Sequence, residues 1–226
     1  MKNLVIAIDG YSSTGKSSIS KIIAKKLNLV HLDTGALYRG ITYFALKNCF
    51  VDGEIDLDDL FPKLENICLE FRNENGEMIL YLNNQNISRE IREQRVSDYV
   101  SLIAKQKEVR NFLLDTQRKM AEKGGVIMDG RDIGTVILPN ADYKFFLTAS
   151  SEERAKRRFL ELQQLGIDAD LESIRQNLLL RDKIDSEREI APLKMADDAI
   201  LIDNTDINKE ETINLILSKI KEFSEI

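Results

Sequence analysis

The chain has no tryptophan, a single histidine, two cysteines and three prolines. Cys49 and Cys68 are not at metal-ligand spacing, and the lone His31 offers them no partner, so a cysteine–histidine metal site is excluded. Cys68 falls on the apolar face of a helical pattern, which predicts a reduced core thiol. His31 sits in Val30-His31-Leu32 at a predicted strand end, where a structural role outranks general-base work. No apolar run approaches the length of a membrane span, and the first residues lead directly into a strand. A soluble, cytoplasmic monomer with no membrane partner is expected. Excess positive charge is also lacking: 32 Lys and Arg stand against 38 Asp and Glu, a formal net charge of −6. An acidic chain is a poor match for a nucleic-acid backbone, so no nucleic-acid partner is expected.

What is present is enough apolar residue for a sizeable core. The 226 residues are 43% hydrophobic and 31% charged, which suits a single α/β domain with inserted pieces. Short apolar runs at Leu4–Ile8, Leu29–Leu32, Val126–Met128, Tyr143–Thr148 and Ala199–Ile202 predict five strands. Helical spacing separates them: Ile19, Ile22, Ile23 and Leu27; Leu37, Ile41, Phe44 and Ala45; then Leu57 through Cys68, with Pro62 blurring the start. Further helices are predicted over 91–104, 109–122, 151–165 and 171–181. A last one is capped by Asn208 and Glu211 and carries Ile213, Ile216, Leu217, Ile220 and Phe223. Alternating runs and helices mean a five-stranded parallel sheet covered by helices on both faces, with ligands at the strands' carboxyl ends. Asn75-Gly76, between Leu69–Arg72 and Met78–Leu82, signals an antiparallel hairpin inserted into that rhythm.

The most specific motif is Gly10-Tyr11-Ser12-Ser13-Thr14-Gly15-Lys16-Ser17, between a predicted strand and a predicted helix. Such a loop turns successive backbone N–H groups toward phosphate oxygens. Lys16 adds a charge for the β- and γ-phosphates, and the Ser17 hydroxyl can ligate Mg²⁺. Ser18 continues the helix start. A chance glycine–serine turn would account for the loop but not for its flanking strand and helix. Nucleoside triphosphate binding follows, with Mg²⁺ alongside.

Polar residues gather where the other strands end: Asp33-Thr34-Gly35 with Arg39, and Asp129 with Arg131 and Asp132. Asp129 has the form of the carboxylate that holds Mg²⁺; Asp9 is the second candidate, and a turn-forming aspartate is the plainer alternative for each. Arginines cluster at Arg154, Arg157 and Arg158, and again at Arg175, Arg181 and Arg188. Arg175 reads as one of a solvated helix face. No Asn-Lys-x-Asp guanine motif is present, which argues against a GTPase. A small-molecule kinase remains. Where the acceptor is itself a phosphate, like charges about 4 Å apart repel by about 4 kcal/mol at an effective dielectric near 20. Several arginines and Mg²⁺ offset that, and no general base is needed because the acceptor oxygen is already ionised.

Four segments then carry a family resemblance: Asp33-Thr-Gly-Ala-Leu-Tyr-Arg39, Asp129-Gly-Arg-Asp-Ile-Gly-Thr135, Ala149-Ser-Ser-Glu-Glu-Arg154 and Arg181-Asp-Lys-Ile-Asp-Ser-Glu-Arg188. In order and register, they resemble the bacterial cytidylate kinases, which are P-loop nucleoside monophosphate kinases. The resemblance spans almost the whole chain. It implies a core over about 1–33, 124–150 and 192–226, a monophosphate-binding subdomain over about 34–123 and a short helical lid over about 151–191. It implies ATP-dependent phosphorylation of CMP and dCMP. Another monophosphate such as UMP or AMP, or nucleotide binding without turnover, are the alternatives. By position, Arg39, Arg131 and Arg188 would grip the acceptor phosphate, and Ser101, Arg110 and Asp132 would read the cytosine edge. Thr34 would lie beside that nucleotide, and Arg181 and Asp185 would hold its ribose. Arg154, Arg157 and Arg158 would bring lid charges to the donor phosphates, and the stretch from Asn204 to Ile207 is the candidate adenine pocket. Tyr11 stands where the family usually has proline, and Thr34 where serine is common. The first should alter loop stiffness; the second keeps its hydroxyl.

Overall fold

A computed structural model describes residues 4–224, with the side chains of 222–224, and so that of Phe223, outside the described residues. In chain order the elements are β1 (Val5–Gly10), α1 (Lys16–Leu27), β2 (Val30–Asp33), α2 (Thr34–Asn48), β3 (Phe50–Val51), β4 (Glu54–Ile55) and α3 (Leu57–Lys63). There follow β5 (Leu69–Glu74), β6 (Glu77–Leu82), β7 (Gln85–Asn86), α4 (Gln94–Ala104) and α5 (Lys107–Ala121). The last part holds β8 (Val126–Gly130), β9 (Tyr143–Thr148), α6 (Ser151–Gln164), α7 (Leu171–Glu187), β10 (Ile200–Asp203) and α8 (Lys209–Ser224). These group into two compact units: residues up to Leu32 with those from Ala121 on, and Asp33–Met120.

The first unit is built on a five-stranded sheet in the order β10-β9-β1-β8-β2. β1 lies parallel to both β8 and β9, and β9 parallel to β10. Ile6, Ile8, Ile127, Phe145, Leu147 and Ile202 project from one face onto Ile19 and Ile23 of α1 and Ile213, Ile216 and Ile220 of α8. The central strands β1, β8 and β9 are buried on both sides, which is why they read as continuous apolar runs rather than alternating ones. α6 and α7 form a smaller core of their own around Ala155, Leu162, Ile174 and Leu178. Ser150 caps α6 by accepting from the Glu153 N–H, and Asn208 and Glu211 cap α8 reciprocally.

The second unit packs α2, α4 and α5 with the antiparallel strands β5–β6–β7 around Leu37, Ile41, Leu60, Leu80, Ile87, Ile103 and Leu113. The β5–β6 turn falls on Asn75-Gly76, both at positive φ (53° and 85°), as the dipeptide predicts.

Three local expectations are corrected. α3 stops at Lys63 and tightens into a 3₁₀ turn over Leu64–Asn66. Pro62 within its last turn lacks the N–H that would continue the ladder. Cys68 therefore lies beyond the helix, where its N–H donates to Asn83 Oδ1 at 2.8 Å, and it is exposed; Cys49 is the buried thiol. The two-residue hairpin β3–β4, around Asp52-Gly53, was not anticipated, since strands of two residues carry no periodicity. α7 does not end at Arg181 but runs on to Glu187.

Phe145 is almost fully buried in β9, between β1 and β10. Phe145→Ala should lower unfolding free energy by about 3–5 kcal/mol in urea titrations. A loss under about 1 kcal/mol would remove it from the load-carrying core.

Candidate functional site

β1 ends in the loop. A Cβ on Gly10 would lie 2.0 Å from the carbonyl oxygen of Leu147, and Gly10 has φ +143°. The glycine lets the chain leave the sheet pressed against β9, and the Tyr11 N–H donates to that same carbonyl at 3.3 Å. The Tyr11 ring meets Phe146 edge-on at 5.9 Å and carries the Arg154 guanidinium at 5.2 Å. The aromatic side chain thus anchors the loop to β9 and α6. Thr14 Oγ1 and Lys16 Nζ both donate to the Tyr11 carbonyl, at 3.0 and 2.5 Å. Burial, and after it the nearby charge of Arg131, push the Lys16 ammonium well below the ordinary lysine value.

Ser17, in the first turn of α1, donates its hydroxyl to Asp129 Oδ2 at 2.7 Å. Asp129 lies in β8, and its other oxygen meets His31 Nε2 at 2.6 Å. A hydroxyl and a carboxylate oxygen side by side are hard donors of the kind Mg²⁺ takes alongside phosphate oxygens, so these residues fit that ion. Asp9 is engaged elsewhere. It accepts the backbone N–H of Ile133 at 2.8 Å and of Gly134 at 2.7 Å. Those residues open a single π-helical turn over Ile133–Ile137, so Asp9 clamps the segment that follows Arg131 and Asp132.

The arginines form a buried network in the same unit. Arg131 donates through Nε to Asp185 Oδ2 at 2.9 Å and through Nη2 to Ser12 Oγ at 2.7 Å. Arg188 donates through Nη2 to Asp132 Oδ1 at 3.1 Å and through Nε to the Ala191 carbonyl at 2.6 Å. Arg154 donates to the Ser12 carbonyl at 3.3 Å and to Asp182 Oδ2 at 2.5 Å. The extra turn of α7 sets Arg181, Asp182 and Asp185 on one helix and brings Asp185 to Arg131. Burial pulls the Asp185 carboxyl up, but the charges of Arg131, Arg188 and Arg181 hold it below the usual carboxylate range.

Arg157 turns to β10's end, donating to Asn204 Oδ1 at 3.0 Å and to its carbonyl at 2.6 Å. Asn204 in turn donates through Nδ2 to the Thr14 carbonyl at 2.9 Å. Beside them a cleft of ≈ 420 Å³ is lined by Thr14, Gly15, Ile19, Arg157, Thr205 and Ile207, among others. Arg158 does not join this group; it pairs with Glu161 on the exposed side of α6. Arg175 is half-buried and paired with Glu172 and Glu152.

In the second unit Asp33 caps α2 through the Ala36 N–H at 3.1 Å and accepts from Arg39 Nη2 at 2.6 Å. Thr34 begins α2 and is buried. Ser101 and Arg110 are buried as well, unlike ordinary helix-surface residues. Arg110 stacks over Tyr38 at 5.5 Å and donates to the Ala104 carbonyl at 3.2 Å.

Sequence reasoning missed Asp182 and the roles of Asn204 and Ser12. Asp182 precedes Asp185 by three residues on the same helix, a spacing that could have pointed to it.

Burial pushes the Asp9 carboxyl up to about 7, against the pull of the Gly134 and Ile133 N–H groups. The ordinary value is 3.8. Between those two values the native chain keeps a proton that the unfolded chain has released, so stability falls as pH rises through the interval. Asp9→Asn cannot titrate there. From about pH 5 to about pH 8, urea unfolding should show the wild type losing stability relative to the variant. A gap that is flat with pH, or moves the other way, would contradict the assignment.

A family model described as cytidylate kinase matches residues 6–222. A protein named cytidylate kinase from Flavobacterium johnsoniae is 46% identical, with 100% of each chain covered. Another of that name, from Bacillus cereus, is 45% identical, covering 96% of each chain. A solved structure of an uncharacterized protein from Eubacterium ventriosum shares the fold at a TM-score of 0.51 and 13% identity, covering 98% of this chain and 99% of that one. With the phosphate loop, the Asp129 end of β8 and the arginine network in place along the matched length, the chain belongs to the cytidylate kinase family.

Proposed function

We propose that the protein transfers the γ-phosphoryl group of ATP to CMP and dCMP, with Mg²⁺ bound alongside ATP. The observation that carries this reading is Arg131, whose guanidinium spans from Ser12 of the phosphate loop to Asp185 of α7. One side chain thereby ties the donor-phosphate loop to the acceptor arginines.

Each residue's part follows from its charge and reach. Backbone N–H groups from Ser12 to Ser18, with the N-terminus of α1, receive the donor phosphates, and Tyr11 anchors the loop that presents them. The buried Lys16 ammonium, disfavoured by desolvation and by Arg131, gains an anionic partner when a triphosphate arrives. Ser17 and Asp129 would hold the magnesium ion, which when bound neutralises charge on the β- and γ-phosphates. Arg154 and Arg157 bring positive charge to the donor side, and the cleft beside Thr14 and Thr205 has the location for adenine. Arg158, turned to solvent toward Glu161, would have to change partner to take part.

On the acceptor side Arg131 and Arg188 would bind the monophosphate, and Arg181 with Asp185 the ribose. Within the second unit, taken by itself, the family resemblance makes Thr34, Arg39, Ser101 and Arg110 the candidates for nucleotide contact. Cytosine offers an amino donor and two acceptors on its edge; Asp132 accepts from the amine, which uracil lacks. In the first unit the catalytic work is charge neutralisation and alignment by Lys16, Arg131 and Arg188, and Arg39 is the second unit's own candidate for a phosphate. The existing carboxylate partners keep these guanidiniums aligned at little reorganisation cost. Nucleoside monophosphate chemistry suits a cytoplasmic location, and no described helix is long and apolar enough to cross a membrane.

Coupled ADP-release assays over CMP, dCMP, UMP and AMP test the reading. CMP and dCMP should exceed the others in kcat/KM by about 10²-fold or more. Equal rates on all four, or none on CMP, would overturn it. Lys16→Ala should cut kcat by about 10³-fold. Asp132→Ala should raise KM for CMP well beyond KM for ATP, and an equal rise in both would take Asp132 out of the base pocket.

A further inference from the structure

We propose that His31 is a positioning residue that fixes the Asp129 carboxylate for the divalent cation; this rests on the reading of Asp129 as a magnesium-side oxygen. The contact is short and local to one unit: His31 Nε2 lies 2.6 Å from Asp129 Oδ1, while Ser17 Oγ lies 2.7 Å from Oδ2. The three residues come from three elements, β2, β8 and α1. The Asp129 side chain is 3% exposed and that of His31 17%.

An aspartate's terminal torsion is soft, so a carboxylate with one donor can swing about that donor. Two donors on different oxygens, from different elements, hold its plane. The imidazole is the only such side chain in the sequence, and it lies between Val30 and Leu32 in β2. A titratable side chain between two apolar neighbours, held against a buried acid, is the kind of local inconsistency that marks a functional site. A carboxylate oxygen accepts, so Nε2 carries the proton in this pair and sets the tautomer. Partners that orient a metal-side ligand change metal affinity or activity by about 10–100-fold when removed. His31 holds Oδ1 of Asp129 before nucleotide arrives, and its removal takes that donor away while Ser17 still holds Oδ2.

The test compares the wild type with His31→Leu and His31→Gln. Gln can present an amide N–H at the reach of Nε2. Calorimetry of ATP binding, with and without Mg²⁺, separates the ion from the nucleotide. His31→Leu should weaken the Mg²⁺-dependent part by about 10-fold or more and leave magnesium-free ATP binding unchanged, and His31→Gln should recover it to within about 3-fold of wild type. Wild-type behaviour of His31→Leu, or equal loss in both variants, overturns the proposal. The wild type itself gives a second reading that needs no variant. With one histidine, long-range ¹H–¹⁵N correlation shows a single imidazole. An Nε2–H tautomer is expected; an Nδ1–H or averaged tautomer overturns the pair. If the wild type binds ATP identically with and without Mg²⁺ while the Nε2–H tautomer is present, the metal reading of Asp129 fails and the positioning role falls with it.

Discussion

The phosphate loop exists because the sheet ends on a residue with no side chain. Gly10 sits where any Cβ would strike the Leu147 carbonyl at 2.0 Å, so the chain can leave β1 while still pressed against β9. That close approach sets where Tyr11, Lys16 and the start of α1 begin. Several polar and charged groups of the first unit meet at the loop: Ser12 meets Arg131 and Arg154, Thr14 meets Asn204, and Ser17 meets Asp129. A loop with an ordinary residue at position 10 would have to peel away from β9 and would lose this shared origin.

Burying so many ions is costly unless each finds a partner. Asp182 and Asp185 answer Arg154 and Arg131, and Asp132 answers Arg188. Replacing such pairs by apolar groups is often neutral or stabilising, so stability alone does not explain their presence. Function does: guanidiniums already desolvated and oriented need little rearrangement when phosphate oxygens arrive. Carboxylates alongside keep like charges from forcing the arginines apart. The Asp9 clamp on Ile133 and Gly134 extends the same logic to the backbone, since it fixes the segment that carries Arg131 and Asp132.

Much of this was legible in the sequence, and what was not has a common cause. The three central strands, buried on both faces, announce themselves as apolar runs, and the edge strands β2 and β10 keep enough apolar residues to show as short runs, so all five were found. The loop was legible because its chemistry needs fixed spacing within eight residues, Gly10 to Ser17. α7 was cut short because its last turns carry Asp182 and Asp185, which look like a helix end; tertiary pairs with Arg154 and Arg131 continue it. Cys68 was misplaced because a helical period ran past the point where Pro62 removes a ladder donor. The pairings themselves escaped detection. Ser12 with Arg131, 119 positions apart, and His31 with Asp129, 98 apart, leave no local pattern. Only the family resemblance singled out Ser101 and Arg110, whose burial the sequence does not disclose.

The central claim is that guanidiniums held in advance by carboxylates meet the acceptor phosphate opposite the loop that holds the donor. A crystal structure with a bisubstrate analogue, joining adenosine and cytidine through a phosphate chain, tests it most directly. The account predicts Arg131 and Arg188 within hydrogen-bond distance of the cytidine-side phosphate, with Lys16 on the adenosine-side chain. Arg131 and Arg188 turned away from the phosphates, or the cytidine end bound elsewhere, would contradict it.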